Sequence, residues 1–259
     1  MKRRDINFLI KIVFTIVLLL GGYTVYDNYY ESDTVKIANW NLQVFGPSKA
    51  SNIQLMQIYT SIIDDYDIVF VQEIRDQSRT SFPKLCSMIM NYSCTSSSRA
   101  GRTSSKEQYG VIYRNGINIT SFRDYNPDSL DRWERPPIKV TFEINGKAFT
   151  VYNIHIKPDD VESEMNYLED LAKDRGDLII LGDLNLDCNY DDGSAGDFES
   201  WNYLITDNDD TTSSSTNCAY DRIILNNNAY EDYAIHGIHT SGITQRESDH
   251  YLVWVEMEV

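Results

Sequence analysis

The chain has 259 residues, of which 42% are hydrophobic, and a formal net charge of −16 at pH 7. This length and apolar content suffice for one large domain with a sizeable core, and nothing in them demands a second domain. With 39 acidic against 23 basic residues, the composition argues against binding of nucleic acid mainly through a basic surface, but not against an enzyme that meets a polyanion through bound cations.

The N-terminal segment is the most apolar part of the sequence. Three of its first four residues are basic, and residues 8–25 form an apolar stretch about long enough to cross a bilayer. We predict a signal anchor, and hence membrane association, over residues 1–26, followed by a linker over residues 27–34. A cleaved signal peptide is the open alternative. In either case residues 35–259 are expected to form one extracytoplasmic domain, membrane-anchored or secreted.

From residue 34 the pattern changes to short apolar runs separated by polar turns. Alternating apolar residues predict strands at 35–40 and 67–71, and helical spacing between them predicts a helix near 53–63. A second helix is predicted over Glu162–Asp174. Further strands are predicted, in chain order, at residues 110–114, 138–144, 148–156, 178–182, 222–225 and 251–259.

The order of these elements indicates the fold class. Asn145-Gly146 is a strong hairpin signal between two strands, and the polar stretch Asp207–Asn217 is predicted to be a loop. Many strands with few helices predict an α/β four-layer sandwich, in which two packed mixed β-sheets are flanked by helices. An N-terminal transmembrane or signal helix would precede it.

Polar side chains fall at the ends of the predicted strands, where residues distant in sequence can meet at one rim. They are Asn41, Glu73, His155, Asp183, Asn185, Asp221, Asp249 and His250. Each has an ordinary interpretation alone: Asp183 and Asn185 suit a turn, for example, and His155 suits a satisfied core position. Their joint occurrence favours a site instead.

This set of residue types suits hydrolysis of a phosphodiester. Oxygen ligands such as Glu73, Asn41 and Asp183 suit a hard cation, and histidines can transfer protons to and from the reacting oxygens. Among the four histidines, His155 and His250 lie in acid-rich contexts and are the candidates. His236 and His239 are predicted to lie in a loop without special function.

The four cysteines, Cys86, Cys94, Cys188 and Cys218, permit three disulfide pairings in an oxidising compartment. None has C-x-x-C spacing, so a zinc site is not expected.

Several segments resemble the endonuclease/exonuclease/phosphatase superfamily and, within it, the deoxyribonuclease I family. They are residues 36–41 (KIANWN), 67–76 (DIVFVQEIRD), 182–188 (GDLNLDC), 215–223 (STNCAYDRI) and 248–251 (SDHY). The resemblance covers about 35–259. It implies a divalent-metal-dependent endonuclease that hydrolyses DNA with little sequence specificity, by proton transfer between two histidines, with no obligate protein partner.

The resemblance also implies a role for individual residues. The implied catalytic residues are His155, His250, Glu107, Asp221, Asp183 and Asn185, with Glu107 orienting His155 and Asp221 orienting His250. The implied ligands of Mg²⁺ or Mn²⁺ are Glu73, Asn41 and Asp249, and Asp210 and Thr212 fall where the family binds structural Ca²⁺. The implied contacts to the DNA backbone and minor groove are Arg75, Tyr190, Thr216 and Arg135.

Cys188 and Cys218 match a family disulfide, whose closure of about 30 residues would contribute roughly 3–4 kcal/mol.

The sequence also departs from the family pattern. Ser105 stands where the family has a tyrosine that stacks in the DNA groove, Leu252 replaces a proline, and Cys86 and Cys94 occur at new positions. Loss of the tyrosine weakens the case for tight duplex binding. A membrane-associated phosphodiesterase acting on lipid or inositol phosphates is the alternative function, and a non-catalytic surface module is a third.

Overall fold

A computed structural model of the chain describes residues 34–190 and 198–259. Within it, Thr34–Val259 form one compact unit. The predicted anchor, and all of the predicted linker except Thr34, lie outside the described residues. Across 34–190 and 198–259, no helix has the length and apolar character needed to cross a membrane.

Twelve strands in the described chain form two sheets of six. The strands are β1 Thr34–Phe45, β2 Ile68–Ile74, β3 Tyr92–Ser96, β4 Gln108–Arg114, β5 Asn118–Asp124, β6 Ile138–Ile144, β7 Lys147–Asn153, β8 Asp177–Asp183, β9 Asn202–Tyr203, β10 Asp221–Leu225, β11 Tyr233–His239 and β12 Leu252–Glu258. The first sheet has the order β11-β12-β1-β2-β4-β3, and the second has the order β5-β6-β7-β8-β10-β9.

The helices of the described chain are few and short. They are α1 Pro47–Ser51, α2 Ile53–Ile63, α3 Ser81–Cys86, α4 Val161–Leu171 and α5 Asn227–Glu231, with a 3₁₀ turn at Pro158–Asp160. The side chain of Asn52 caps α2 by accepting a hydrogen bond from the Leu55 amide at 3.2 Å.

Both sheets follow one plan. Each has a single parallel pair, β1 with β2 and β7 with β8, while the other neighbours are antiparallel. A parallel pair needs a crossover connection, and the two crossovers contain α2 and α4. Because the carboxyl ends of parallel strands face the same way, β1 and β2 end at one rim of the first sheet, and β7 and β8 end at one rim of the second.

Three apolar clusters account for the layers. The largest lies between the sheets and joins residues such as Ile37 and Phe70 of the first to Val151 and Leu181 of the second. A second cluster packs α2 on the outer face of the first sheet, and a third packs α4 on the outer face of the second. Two packed mixed sheets with helices outside are therefore confirmed.

Several boundaries differ from the prediction. The segment with His236 and His239 is the edge strand β11, not a loop, and it is half-exposed because it pairs only with β12. The predicted strand 148–156 ends at Asn153, and the predicted helix 162–174 ends at Leu171. Strands β3, β5 and β9 escaped prediction because edge strands bury few apolar side chains.

Candidate active site

The two sheets bring their polar strand ends together at one rim. Asn41 ends the regular part of β1, Glu73 lies near the end of β2, and Asp183 closes β8. His155 follows β7, Asp221 opens β10, and His250 precedes β12. Contacts of 2.7–3.5 Å link these side chains, so the residues predicted from strand ends form one cluster.

Each candidate histidine is oriented by a carboxylate from the opposite sheet. His250, on the first sheet, has Nδ1 2.7 Å from Asp221 Oδ2 on the second. His155, on the second sheet, has Nδ1 3.3 Å from Oε1 of Glu107, which adjoins β4 of the first. A carboxylate at Nδ1 fixes the orientation of the ring and leaves Nε2 facing the cluster.

Asp183 lies at the centre of the cluster and is buried. Its Oδ2 atom is 3.3 Å from His155 Nε2 and 3.5 Å from His250 Nε2, so both imidazoles face one oxygen. Asn41 Nδ2 donates to the same oxygen at 3.0 Å. The Asn185 amide donates to Asp183 Oδ1 at 3.2 Å, which places Asn185 beside the cluster.

A layer of buried amides supports the cluster from below, and sequence reasoning missed it. Gln72 Oε1 accepts from the Asp183 amide at 2.9 Å, and Gln72 Nε2 donates to the Ile154 carbonyl at 2.7 Å. Asn153 Nδ2 donates to Asn39 Oδ1 at 2.9 Å and so joins the two sheets. Amides within or directly after the apolar runs of predicted strands were the available signal.

The local electrostatics set the charges of the cluster. Burial opposes a charge on His250, but Asp221 and Asp183 outweigh it and raise the His250 pKa to about 10. Burial likewise opposes a charge on Glu107, but His155, Arg135 and Arg75 lower its pKa to about 2. At neutral pH the rim therefore combines an imidazolium with anionic carboxylates.

The pKa values of the other two buried acids, Asp183 and Asp221, shift in opposite directions. Burial alone would raise the pKa of Asp183, yet the neighbouring His250 and His155 lower it. Burial is the main cause that raises the pKa of Asp221.

Unusual backbone geometry aims some of these side chains. Glu73 and Asn185 have φ values of +57° and +50°, in the left-handed region that non-glycine residues rarely adopt. Val44 has a φ of +55°, and its amide donates to Glu73 Oε2 at 2.8 Å. Strain of this kind concentrates at functional sites, where the surrounding structure holds it in place.

One corner of the cluster suits a divalent cation by its chemistry. Glu73 offers a carboxylate next to the Asn41 amide, whose Nδ2 lies 3.3 Å from Glu73 Oε1. Asp249 adds a half-exposed carboxylate whose Oδ1 lies 3.8 Å from His250 Nε2. Ligand-capable atoms of Glu73, Glu107 and His155 also lie within 4.8 Å of one another, but Glu107 and His155 already pair together. Carboxylate oxygens such as these suit a hard divalent cation, whereas Asn41 turns its nitrogen to Glu73 and its Oδ1 accepts from the Gln43 amide at 2.9 Å.

The residues expected to meet DNA differ in accessibility. Arg75 lies at the rim with Nη2 3.1 Å from Glu73 Oε2, and Tyr190 is exposed and lies against Tyr220 at 5.4 Å between ring centroids. Tyr220, which the sequence did not single out, also lies 6.3 Å from the His250 ring. Arg135 is buried and turned inward against Glu107, at 2.8 Å.

The polar loop after β9 is ordered by its own hydrogen bonds. Asp210 Oδ1 accepts from the Thr212 amide at 3.0 Å and from Thr212 Oγ1 at 2.9 Å. Thr212 Oγ1 also lies 2.6 Å from the Thr216 carbonyl, which places Thr216 in the same turn. The predicted calcium-site residues are thus adjacent.

Both disulfides are formed. Cys188 pairs with Cys218, as the family resemblance implied, and Cys86 pairs with Cys94. Two disulfides are typical of a protein in an oxidising compartment.

The remaining histidines lie away from the cluster. Each has Nδ1 beside a tyrosine hydroxyl, 2.7 Å from Tyr233 for His236 and 2.9 Å from Tyr66 for His239. Neither belongs to a group of potential metal ligands among residues 34–190 and 198–259.

Comparison with known proteins identifies the family. Residues 38–250 match the model of the Endonuclease/Exonuclease/phosphatase family. The chain belongs to this family. Its relatives include the deoxyribonuclease-1 proteins of Bos taurus and Gallus gallus, which are 32% and 34% identical to it over 217 residues. Each match covers 74% of this chain and 77% of the relative.

Solved structures of other proteins share the fold. A humanized D. rerio TDP2 has a TM-score of 0.68 at 13% identity and covers 88% of this chain and 100% of its own. A mannosyl-6-phosphatase of Bacteroides thetaiotaomicron has a TM-score of 0.62 at 16% identity, with 85% and 98% coverage. These likenesses concern the fold alone. Family membership and the deoxyribonuclease-1 relatives make the chain a phosphodiester hydrolase.

Proposed function

We propose that the chain is a divalent-metal-dependent endonuclease that hydrolyses phosphodiester bonds of extracytoplasmic DNA with little sequence specificity. The observation that carries the proposal is the pair of imidazoles whose Nε2 atoms face Asp183 Oδ2 at 3.3 and 3.5 Å. Each ring is backed by a carboxylate, Glu107 or Asp221. The deoxyribonuclease-1 relatives support DNA as the substrate, and the two disulfides fit an extracytoplasmic setting.

The chemistry follows from these positions. Hydrolysis of a phosphodiester needs removal of a proton from water and donation of one to the departing oxygen. His155 and His250 are proposed as the pair that performs the two transfers, while Asp183 and Asn185 orient the attacking water or the scissile phosphate. The His250 imidazolium also offers a positive charge to a phosphate oxygen.

A divalent cation completes the proposal. Glu73, Asn41 and Asp249 would hold Mg²⁺ or Mn²⁺, which supplies positive charge to the phosphoryl oxygens. Asp210 and Thr212 are proposed to bind Ca²⁺ that stabilises the polar loop.

Contacts to DNA are proposed for exposed rim residues. Arg75 would reach the minor groove, and Tyr190 and Thr216 would contact the backbone. Because backbone contacts carry no base information, cleavage would depend little on sequence. With Ser105 in place of a stacking tyrosine and an overall charge of −16, duplex affinity is expected to be low.

Replacement of either histidine tests the proposal. His155→Ala and His250→Ala should each lower the rate of plasmid nicking by at least ~10³-fold. Each variant loses one proton transfer and the electrostatic stabilisation that the imidazole gives to the transition state. His236→Ala, which alters a histidine on β11, serves as the matched control and should nick like the unmodified protein. Circular dichroism would show whether each variant is folded.

The same assay identifies the class of substrate. Addition of EDTA should abolish nicking, and Mg²⁺ or Mn²⁺ should restore it. Full nicking by either folded active-site variant would remove the acid–base assignment. Hydrolysis of sphingomyelin or phosphoinositide vesicles in preference to DNA would favour the lipid phosphodiesterase instead.

A further inference from the structure

Arg135 lies in the connection between β5 and β6, and its guanidinium points into the protein. Arg135 Nε donates to the His155 carbonyl at 3.0 Å, and Nη2 donates to the Ile156 carbonyl at 3.0 Å. Two of its three nitrogens are thus committed to the short segment that carries His155. The side chain is only 11% exposed, against 27% for Arg75 at the same rim.

The same guanidinium compensates the carboxylate that orients His155. Arg135 Nε lies 2.8 Å from Glu107 Oε1, and Glu107 is almost fully buried. Within the described residues, Oε1 accepts no hydrogen bond of ordinary geometry, so the adjacent guanidinium compensates this buried carboxylate together with His155. Glu107 in turn contacts His155 Nδ1 at 3.3 Å.

A ring of backbone contacts closes around these groups. The Tyr109 hydroxyl donates to the Arg135 carbonyl at 3.0 Å and accepts from the His155 amide at 3.0 Å. Arg135 therefore touches the His155 segment through its side chain directly and through its own carbonyl by way of Tyr109.

The segment that carries Arg135 is itself firmly held. Buried Glu164 on α4 accepts from the Glu134 amide at 2.6 Å through Oε1 and from the Lys157 amide at 3.0 Å through Oε2. Trp133 Nε1 donates to the Glu164 carbonyl at 3.0 Å. A group can position another only if its own place is fixed, and Arg135 meets that condition.

We propose that Arg135 is a positioning residue for His155, acting through Glu107 and the His155–Ile156 carbonyls, and that it is not a contact to a DNA phosphate. The inference rests on the proposed function, in which His155 transfers a proton during DNA hydrolysis. It reverses the role that family resemblance implied for this arginine.

Single-turnover cleavage of a labelled duplex separates the two roles. With enzyme in excess, the dependence of rate on enzyme concentration gives a maximal rate and a half-saturating concentration, both measured over a range of NaCl. For Arg135→Ala we expect the maximal rate to fall by about 10- to 100-fold, the cost typical of losing a group that orients a functional side chain. The half-saturating concentration and its salt dependence should stay unchanged.

A phosphate contact would give the opposite result. The half-saturating concentration would rise, the slope of its logarithm against log salt would drop by about one, and the maximal rate would be retained. That outcome overturns the proposal. Arg132→Ala is the matched control, since Arg132 lies in the same connection but pairs with Asp128. It should leave both parameters unchanged.

Rescue distinguishes positioning from a merely structural role. Arg135→Lys keeps the charge beside Glu107 but lacks the planar fork with which Arg135 reaches both carbonyls, so it should recover part of the maximal rate. Millimolar guanidinium ion should raise the maximal rate of Arg135→Ala. Failure of both rescues, with reduced thermal stability, would assign Arg135 to the fold alone and overturn the proposal.

Failure of this proposal and failure of the proposed function give different results. If Arg135→Ala does not fold, Arg135→Lys carries the same comparison of maximal rate and half-saturation. If the unmodified protein cleaves no DNA at any cation concentration, the proposed function fails, which is distinct from a failure of the Arg135 variants alone.

Discussion

Gly182 shows how one residue brings together the two segments of the second sheet that carry Asp183 and His155. It immediately precedes Asp183 in β8, and a Cβ atom there would lie 2.0 Å from the Ile154 carbonyl oxygen and 2.8 Å from Gln72 Nε2. Ile154 immediately precedes His155. The missing side chain therefore permits the close approach that brings Asp183 and His155 within 3.3 Å of each other.

Gly182→Ala should damage both activity and stability. The methyl group must push β8 away from the Ile154 carbonyl, and overpacking of this kind typically costs about 1–3 kcal/mol. We expect the free energy of unfolding to fall by at least that amount and plasmid nicking to fall with it. Urea denaturation and the nicking assay measure the two effects.

Gly176→Ala is the matched control, because Gly176 has a φ of +95° but a Cβ atom added there would have nothing within 4 Å. It should lose about 1–2 kcal/mol through backbone strain alone and keep its nicking rate in the folded state. Equal loss of nicking in both variants would show that crowding at Gly182 is not the cause.

At the scale of elements, Asp76 fixes the segment that leaves β2 and enters α3. Its buried carboxylate accepts hydrogen bonds from the Ser78, Thr80 and Ser81 amides, each at 2.8 Å, and from the Ser78 and Ser81 hydroxyls. Burial alone would raise the pKa of Asp76, but these donors hold it well below its ordinary value of 3.8. The anchored segment begins directly after Arg75, so it also steadies the rim.

Asp76→Asn should lower the free energy of unfolding by about 2–3 kcal/mol at pH 7, because an amide cannot accept all of these hydrogen bonds. The pKa of Asp76 is lower in the folded state than in the unfolded state. Its contribution is therefore complete above pH 3.8 and is lost as the pH falls below that value. Urea unfolding at several pH values should show the variant and the unmodified protein converging in acid. A constant difference down to the most acidic pH tested would contradict this account.

At the scale of the whole molecule, the two disulfides close loops of different length. Cys86 and Cys94 are 8 residues apart, whereas Cys188 and Cys218 are 30 residues apart. In the chain-entropy model, a longer loop restricts the unfolded chain more. The second disulfide also spans the polar loop with Asp210 and Thr212.

Removal of each disulfide by paired serine substitutions should therefore destabilise the protein unequally. We expect losses of roughly 3–4 kcal/mol for Cys188 with Cys218 and about 2.5 kcal/mol for Cys86 with Cys94. Equilibrium unfolding in urea measures both. A larger loss from the shorter loop would mean that native-state packing, and not loop entropy, dominates.

The sequence predicted those parts of the molecule that depend on local pattern. The run 178–182 is apolar throughout and forms most of β8, and the polar residues that follow it, Asp183 among them, lie in the cluster. The half-exposed strand β11 was mistaken for a loop because its pairing with β12 is a tertiary effect.

The sequence also did not predict that the Arg135 side chain points into the protein or that Glu73 has a left-handed backbone conformation. Both depend on neighbours distant in sequence.

Each imidazole and its carboxylate partner adjoin different sheets, so under the proposed function turnover would report on the docking of the two sheets. A folding intermediate with both sheets formed but not yet closed against each other would have native-like secondary structure and no hydrolytic power. During refolding, the far-ultraviolet signal should therefore recover before enzymatic activity does. Activity would return only when water is excluded from the core between the sheets. Recovery of activity would therefore measure the last step of folding.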